Sequence, residues 1–191
     1  MAGRTFIFDP PDRFVAGSVG QPGQRTFFLQ ARKGSAVLSV ALEKVQVALL
    51  AERIAALVEE LAQRGIELPP PTTAGRPRAG AGAAAGRHAT ASLEEPVVEA
   101  FRIGSMTITY DDAQRDVTIE GRARGGDGDA DEDNEDDERH LLRVRLTVGE
   151  ARAFALGAME VVAAGRPPCP LCGEPLDPQG HVCLRRNGYV M

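Results

Sequence analysis

Cys169-Pro170-Leu171-Cys172-Gly173 and, after a short loop, His181-Val182-Cys183 hold all three cysteines of the chain and one of its three histidines. Two soft ligands separated by two intervening residues, followed by a second close pair, form a donor set that closes around one zinc ion. The Cys-x-x-Cys turn doubles the chain back so that both sulfurs face one point, and Gly173 permits the left-handed step after the second ligand. His181 and Cys183 at i and i+2 project from one face of an extended segment, and Asp177-Pro178-Gln179-Gly180 supplies the turn that joins the pairs. Four protein ligands leave no position for a metal-bound water, so one structural, non-catalytic zinc per chain is expected. Unmetallated thiols or a redox Cys-x-x-Cys are the competing readings, but His-x-Cys has no role in a dithiol. Iron is the chemical competitor for a thiolate-rich site.

The rest of the inventory is poor in catalytic patterns. Ser18 and Ser105 sit beside glycines without a Gly-x-Ser-x-Gly elbow, and neither a Walker loop nor a dinucleotide fingerprint occurs. His88 falls in a linker and His140 at a strand edge, so with His181 on the metal no histidine is left in an evident cleft to act as a base. One further polar group, Asp9, Asp12, Arg13, Gln24 and Arg25, lies on two loops that would converge at one end of the first sheet and form a ligand site. The plainer reading is that the carboxylates accept backbone amides in the Pro10-Pro11 turn and pair with the arginines. Asp127, Asp129, Asp131, Asp133, Glu135 and Glu138 fit the ligand positions of a calcium loop, yet Glu132 stands where the sharp turn needs glycine and the flanks are strands. That run reads as a solvated hairpin tip.

Two similar halves must position these groups. Strands are expected over residues 5–8, 13–19, 25–31 and 36–42, meandering antiparallel, with Gln21-Pro22-Gly23-Gln24 and Lys33-Gly34-Ser35 as turns. The period then becomes helical, with Val47, Leu50, Ala51, Ile54, Val58 and Leu61 on one face and Gly65 as the C-terminal cap. Residues 69–95, rich in Pro, Gly and Ala, bury too little to order themselves and read as a flexible linker. Beyond it the pattern returns. Phe101-Arg102-Ile103-Gly104-Ser105-Met106 echoes Phe14-Val15-Ala16-Gly17-Ser18-Val19, a hairpin at residues 111–114 leads into 116–122, and Leu142-Arg143-Val144-Arg145-Leu146 echoes Leu38-Ser39-Val40-Ala41-Leu42. Thr147-Val148-Gly149-Glu150 is a capping-box pattern opening a helix with Ala151, Phe154, Ala155, Ala158 and Val162 buried and Gly165 at its end.

The expected fold is therefore α+β: two βββα repeats, each an antiparallel meander backed by a helix, packed as two related sheets, plus a C-terminal zinc knuckle. Its segments are 1–68, the linker 69–95, the second half 96–166 with an acidic loop at 125–139, and the knuckle and tail 167–191. At 191 residues one core and an appendage is the natural size. The net charge of −5 resides in residues 127–138; without those nine carboxylates it would become +4, which argues neither for nor against an anionic partner. No apolar run suits a signal peptide or a bilayer span, so a cytoplasmic protein without membrane contact is expected, where thiols stay reduced. Nucleic-acid binding is a minority reading. Only Arg185 and Arg186 lie near the knuckle, and Phe6, Phe8, Phe27 and Phe28 divide between core and surface by alternation.

Residues 8–17, the run Gly23-Gln24-Arg25-Thr26-Phe27-Phe28-Leu29-Gln30, and Gly165-Arg166-Pro167-Pro168-Cys169-Pro170-Leu171-Cys172-Gly173 resemble an actinobacterial domain-of-unknown-function family, number 3090. That resemblance covers nearly the whole chain and is specific at both ends. It implies a cytoplasmic bacterial protein with no assigned activity, and a functional link to neighbours resembling a histidine-phosphatase-superfamily enzyme and a kinase-like protein. The long Ala/Gly linker and the acidic loop depart from the family pattern and are not where function is expected. Together these readings point to a non-catalytic binding or scaffolding component with a protein partner. Against it stand an enzyme using the carboxylates and arginines between Asp9 and Arg25, and a single-strand nucleic-acid binder.

Overall fold

The computed structural model describes residues 3–21, 23–66, 68, 71, 92–125, 139–164, 171, 172 and 183. Most of the expected linker, the tip of the acidic loop and most of the knuckle lie outside the described residues. Strands β1 (Thr5–Phe8), β2 (Arg13–Val19), β3 (Thr26–Lys33) and β4 (Ala36–Leu42) precede helix α1 (Lys44–Gln63). Strands β5 (Glu99–Asp111), β6 (Asp116–Ala123) and β7 (Leu141–Thr147) precede helix α2 (Val148–Ala163).

The fold is α+β, as expected, but the strands make one seven-stranded mixed sheet and not two sheets. Its order is β1-β7-β6-β5-β4-β3-β2. Parallel pairing of β4 with β5 joins the two meanders into one sheet. The expectation of an unbroken antiparallel first meander fails at β1, which leaves β2 and pairs parallel with β7, so Phe8 sits opposite Val144. The cause lies in Pro10 and Pro11: their fixed φ and missing N–H groups prevent a tight hairpin that would bring β1 back along β2. Residues 9–12 instead carry the chain from one edge strand of the sheet to the other.

That short connection bends the whole sheet. Seven strands at ordinary spacing would spread about 29 Å flat, whereas the step from Phe8 to Arg13 reaches about 18 Å at most. The sheet must therefore curl until its edges approach. Hydrogen bonds at the corner agree: Asp12 N donates to Arg32 O at 2.8 Å, and Lys33 Nζ donates to the Asp9 carbonyl.

Facing rows of side chains fill the curl. Phe14, Ala31 and Leu38 stand in register across β2, β3 and β4, as do Ala16, Leu29 and Val40. In the other half Ile108, Ile119, Val144 and Phe8 form such a row across β5, β6, β7 and β1. The buried face of α1 is Val47, Leu50, Ala51, Ile54, Val58 and Leu61, the stripe that the 3.6-residue period marks. On α2 the buried stripe ends at Val161, while Val162 is only half-buried. Glu150 and Thr147 cap that helix reciprocally, and Gly65 takes φ 76° just past α1, where a side chain would be strained. Helices and strands share a single core.

The opposite face of β2–β3–β4 is also covered. Phe27 and Phe28 point to opposite faces, yet both are buried, against the expected division between core and surface. Gln30, only 1% exposed, explains part of the cover. Its Nε2 donates to Ser39 Oγ and to the Glu94 carbonyl, both at 3.0 Å, and its Oε1 accepts from Glu94 N at 2.8 Å and Arg13 Nη1 at 3.2 Å. Residues 92–95, at the end of the expected linker, are thereby held on the sheet, with Leu93 filling the place where Gly17 has no side chain. A Cβ on Gly17 would stand 2.5 Å from Leu93 Cγ. Gln30→Leu removes the Gln30 contacts to Glu94 and Ser39 at once and leaves buried partners unsatisfied, a loss of about 1–3 kcal/mol, while Arg13 and Arg32 still reach Ser92 and Glu94. The expected outcome is a lower melting temperature together with faster hydrogen exchange at the Glu94 amide; unchanged protection of that amide would mean the strap is held by something else.

Candidate functional site

The five polar residues of the two loops are distributed among separate partners. Asp9 Oδ1 accepts from Arg145 Nε at 2.7 Å, on β7, the strand that pairs with β1. Asp12 Oδ2 accepts from Gly34 N at 2.6 Å, a backbone amide as the plainer reading requires, though in the β3–β4 turn and not in its own. Arg13 turns to Gln30, to the Ser92 carbonyl and to Glu94, whose Oε1 is 3.7 Å away. Gln24 closes its own turn, its N donating to Gln21 O at 2.9 Å. Arg25 Nη1 donates to the Ala164 carbonyl at 2.7 Å, placing a cation at the C-terminus of α2, where the helix dipole favours it. Neither arginine pairs with Asp9 or Asp12 in these contacts.

Of the four residues expected to hold zinc, Cys169 and His181 lie outside the described residues. Cys172 is half-buried and Cys183 is buried. Three thiols and an imidazole form a donor set that suits zinc, and no observation on the two described cysteines opposes it. His140 is engaged elsewhere: its Nδ1 accepts from Arg4 N at 3.0 Å, which puts any single ring proton on Nε2, and its ring lies against Phe6 and Phe101.

A groove of about 590 Å³ opens between α1 and β5. Leu49, Leu50 and Leu57 of α1 and Met106, Ile108 and Tyr110 of β5 give it apolar walls, with Gln46, Arg53 and Thr107 as its polar members. It contains none of the five loop residues. The sequence signal for it was weak, because its strand side is the ordinary inner face of β5 and its helix side is the edge of the α1 stripe.

Sequence reasoning also missed Arg145. Besides Asp9, it donates from Nη1 to Gln114 Oε1 at 2.7 Å, and its Nε lies 3.7 Å from Asp116 Oδ2. Alternation on β7 places Arg143 and Arg145 on one face, and Arg143 pairs with Glu120 at 2.7 Å, but the parallel partner that delivers Asp9 has no local signal. Burial pushes the Asp116 carboxyl above its ordinary range; Arg145 pulls it down, while Asp9, Asp111 and Glu150 add to the rise. A carboxyl raised by folding favours the protonated form. Its stabilising contribution is complete below the unfolded pKa and is lost as pH climbs through the raised folded value. Asp116→Asn is therefore expected to melt higher than the parent at neutral pH, with the gap closing as pH falls below the ordinary carboxylate range. Calorimetry across that range checks it, and a variant less stable at neutral pH would show that the Arg145 pair outweighs burial.

Among the described residues no helix is long and apolar enough to cross a membrane. No curated protein and no solved structure matches the chain. A family model does match, over residues 6–183, a span that begins within β1 and takes in Cys169, Cys172, His181 and Cys183. With nearly its whole length covered, the chain belongs to the family described as "Protein of unknown function (DUF3090)".

Proposed function

We propose that this is a non-catalytic binding component whose C-terminal segment is fixed to the body by one structural zinc, held by Cys169, Cys172, His181 and Cys183. The observation that carries the binding part is the separation of its groove from its polar loops. The apolar walls between α1 and β5 suit capture of a ligand, whereas Asp9 and Asp12 hold the corner of the sheet, Arg13 the segment 92–94 and Arg25 the end of α2. The zinc part rests on the donor set: a closed shell cross-links the chain and supplies folding energy, with no coordination site for substrate. On this reading the protein partner meets α2, where Leu156 and Met159, three residues apart, are 45% and 36% exposed.

The same reading treats the two halves as a duplicated βββα unit. Register supports it: Met106, Gly121 and Leu142 stand in line across β5, β6 and β7 as Phe14, Ala31 and Leu38 do across β2, β3 and β4. Each meander's last strand takes a parallel partner from outside that meander, β5 on β4 and β1 on β7. In this alignment Met106 and not Phe101 corresponds to Phe14, five residues from the echo in the sequence.

Cys169→Ala and Cys172→Ala each remove one thiolate from the shell and are expected to take the zinc content of the purified protein from one per chain to none, with residues 167–191 becoming protease-sensitive. Elemental analysis decides the matter: zinc retained in both variants would sink the assignment.

A further inference from the structure

The two helix–sheet junctions differ at one place. Seven residues after its N-cap, α2 carries Phe154, whose ring stacks on Phe14 of β2 with centroids 4.6 Å apart and closes that junction. Seven residues after its N-cap, α1 carries Leu50, and the strand position in line with Phe14 is Met106. Two flexible aliphatic side chains replace two stacked rings there, and the groove lies between them.

Its polar groups are unevenly disposed. Gln46 is already engaged, its Oε1 accepting from Glu43 N at 2.8 Å and its Nε2 donating to the Gly104 carbonyl at 3.2 Å. Arg53 has neither an ion pair nor a hydrogen-bond partner among the described residues, and no carboxylate lines the groove. Tyr110 has a buried hydroxyl without a partner among the described residues, a state that costs free energy until an acceptor arrives. Cationic and hydroxyl donors beside apolar walls, with no acid to neutralise them, complement an anion that carries an aliphatic body.

We infer that the groove between α1 and β5 binds a free long-chain carboxylic acid, its chain along Leu49, Leu57, Met106 and Ile108 and its carboxylate on Arg53, with Tyr110 as the second donor. This rests on the binding reading above and does not depend on the zinc.

The test uses the full chain, dansyl-undecanoate as the fluorescent probe, and dodecanoate and dodecanol as competitors. Dodecanoate is expected to displace the probe at one site per chain and to bind about tenfold more weakly to Arg53→Gln, while dodecanol binds parent and variant alike. Arg53 is exposed on the helix surface, so this change leaves the core intact. Arg152→Gln on α2 serves as the charge control and should change nothing. Saturable binding of both competitors with no effect of Arg53→Gln would overturn the carboxylate assignment and leave the apolar groove as a binding site. Absence of saturable binding by probe and competitors would overturn this inference and remove the groove's support for the binding reading as well.

Discussion

Four residues between Phe8 and Arg13 set the shape of this protein. They join the two edge strands of a seven-stranded sheet, and the chain they provide is too short to cross a flat one. Curling brings the edges together and turns one face inward, where rows from all seven strands meet the buried stripes of both helices. The unusual demand is on the corner itself, which must satisfy its polar groups while two prolines remove donors. Asp9 meets Arg145, Asp12 meets the Gly34 amide and Lys33 covers the Asp9 carbonyl. Of the residues that look like a ligand site along the chain, Asp9 and Asp12 fasten the curl.

This explains which parts of the fold were legible from sequence. Periodic signals survive because they are local: the α1 stripe appears residue for residue, the capping box at Thr147 and Glu150 forms, and the Asp111 turn closes with its carboxylate accepting from Ala113 and Gln114 amides. Pairing between distant strands has no such signal. Thr5 to Phe8 reads as a strand of the first meander because it is nearest in sequence, yet its partner begins at Leu141. Phe28 and Gln30 illustrate the same limit on burial, since alternation says which face a side chain takes and not whether that face is covered. Here Gln30 is buried by Leu93 and Glu94 from a segment whose composition reads as linker.

For the candidate site the balance is similar. The Cys and His spacing is readable as a zinc donor set because ligand type and reach are local properties, while Cys169 and His181 lie outside the described residues. The polar loops carry no comparable local signal, because Asp and Arg serve turns, caps and corners as readily as ligands. Arg25 on the last carbonyl of α2 and Arg13 on the strap over Gln30 are examples of one residue type meeting different structural needs a few positions apart.

The groove depends on a different kind of information, the difference between two nearly equivalent junctions. A buried seam opened for no purpose would cost dispersion contacts that a pair of rings recovers, as Phe14 and Phe154 do. Replacing both rings by Leu50 and Met106, beside an arginine unpaired among the described residues, gives up packing on one side of an otherwise matched core. The same helix buries its remaining stripe completely, with Val47, Ala51, Ile54 and Leu61 fully inside, so poor amphipathicity is not the cause of the opening. On the proposed reading, a helix well seated along this stripe and open beside Arg53 has its missing contacts supplied by a bound molecule.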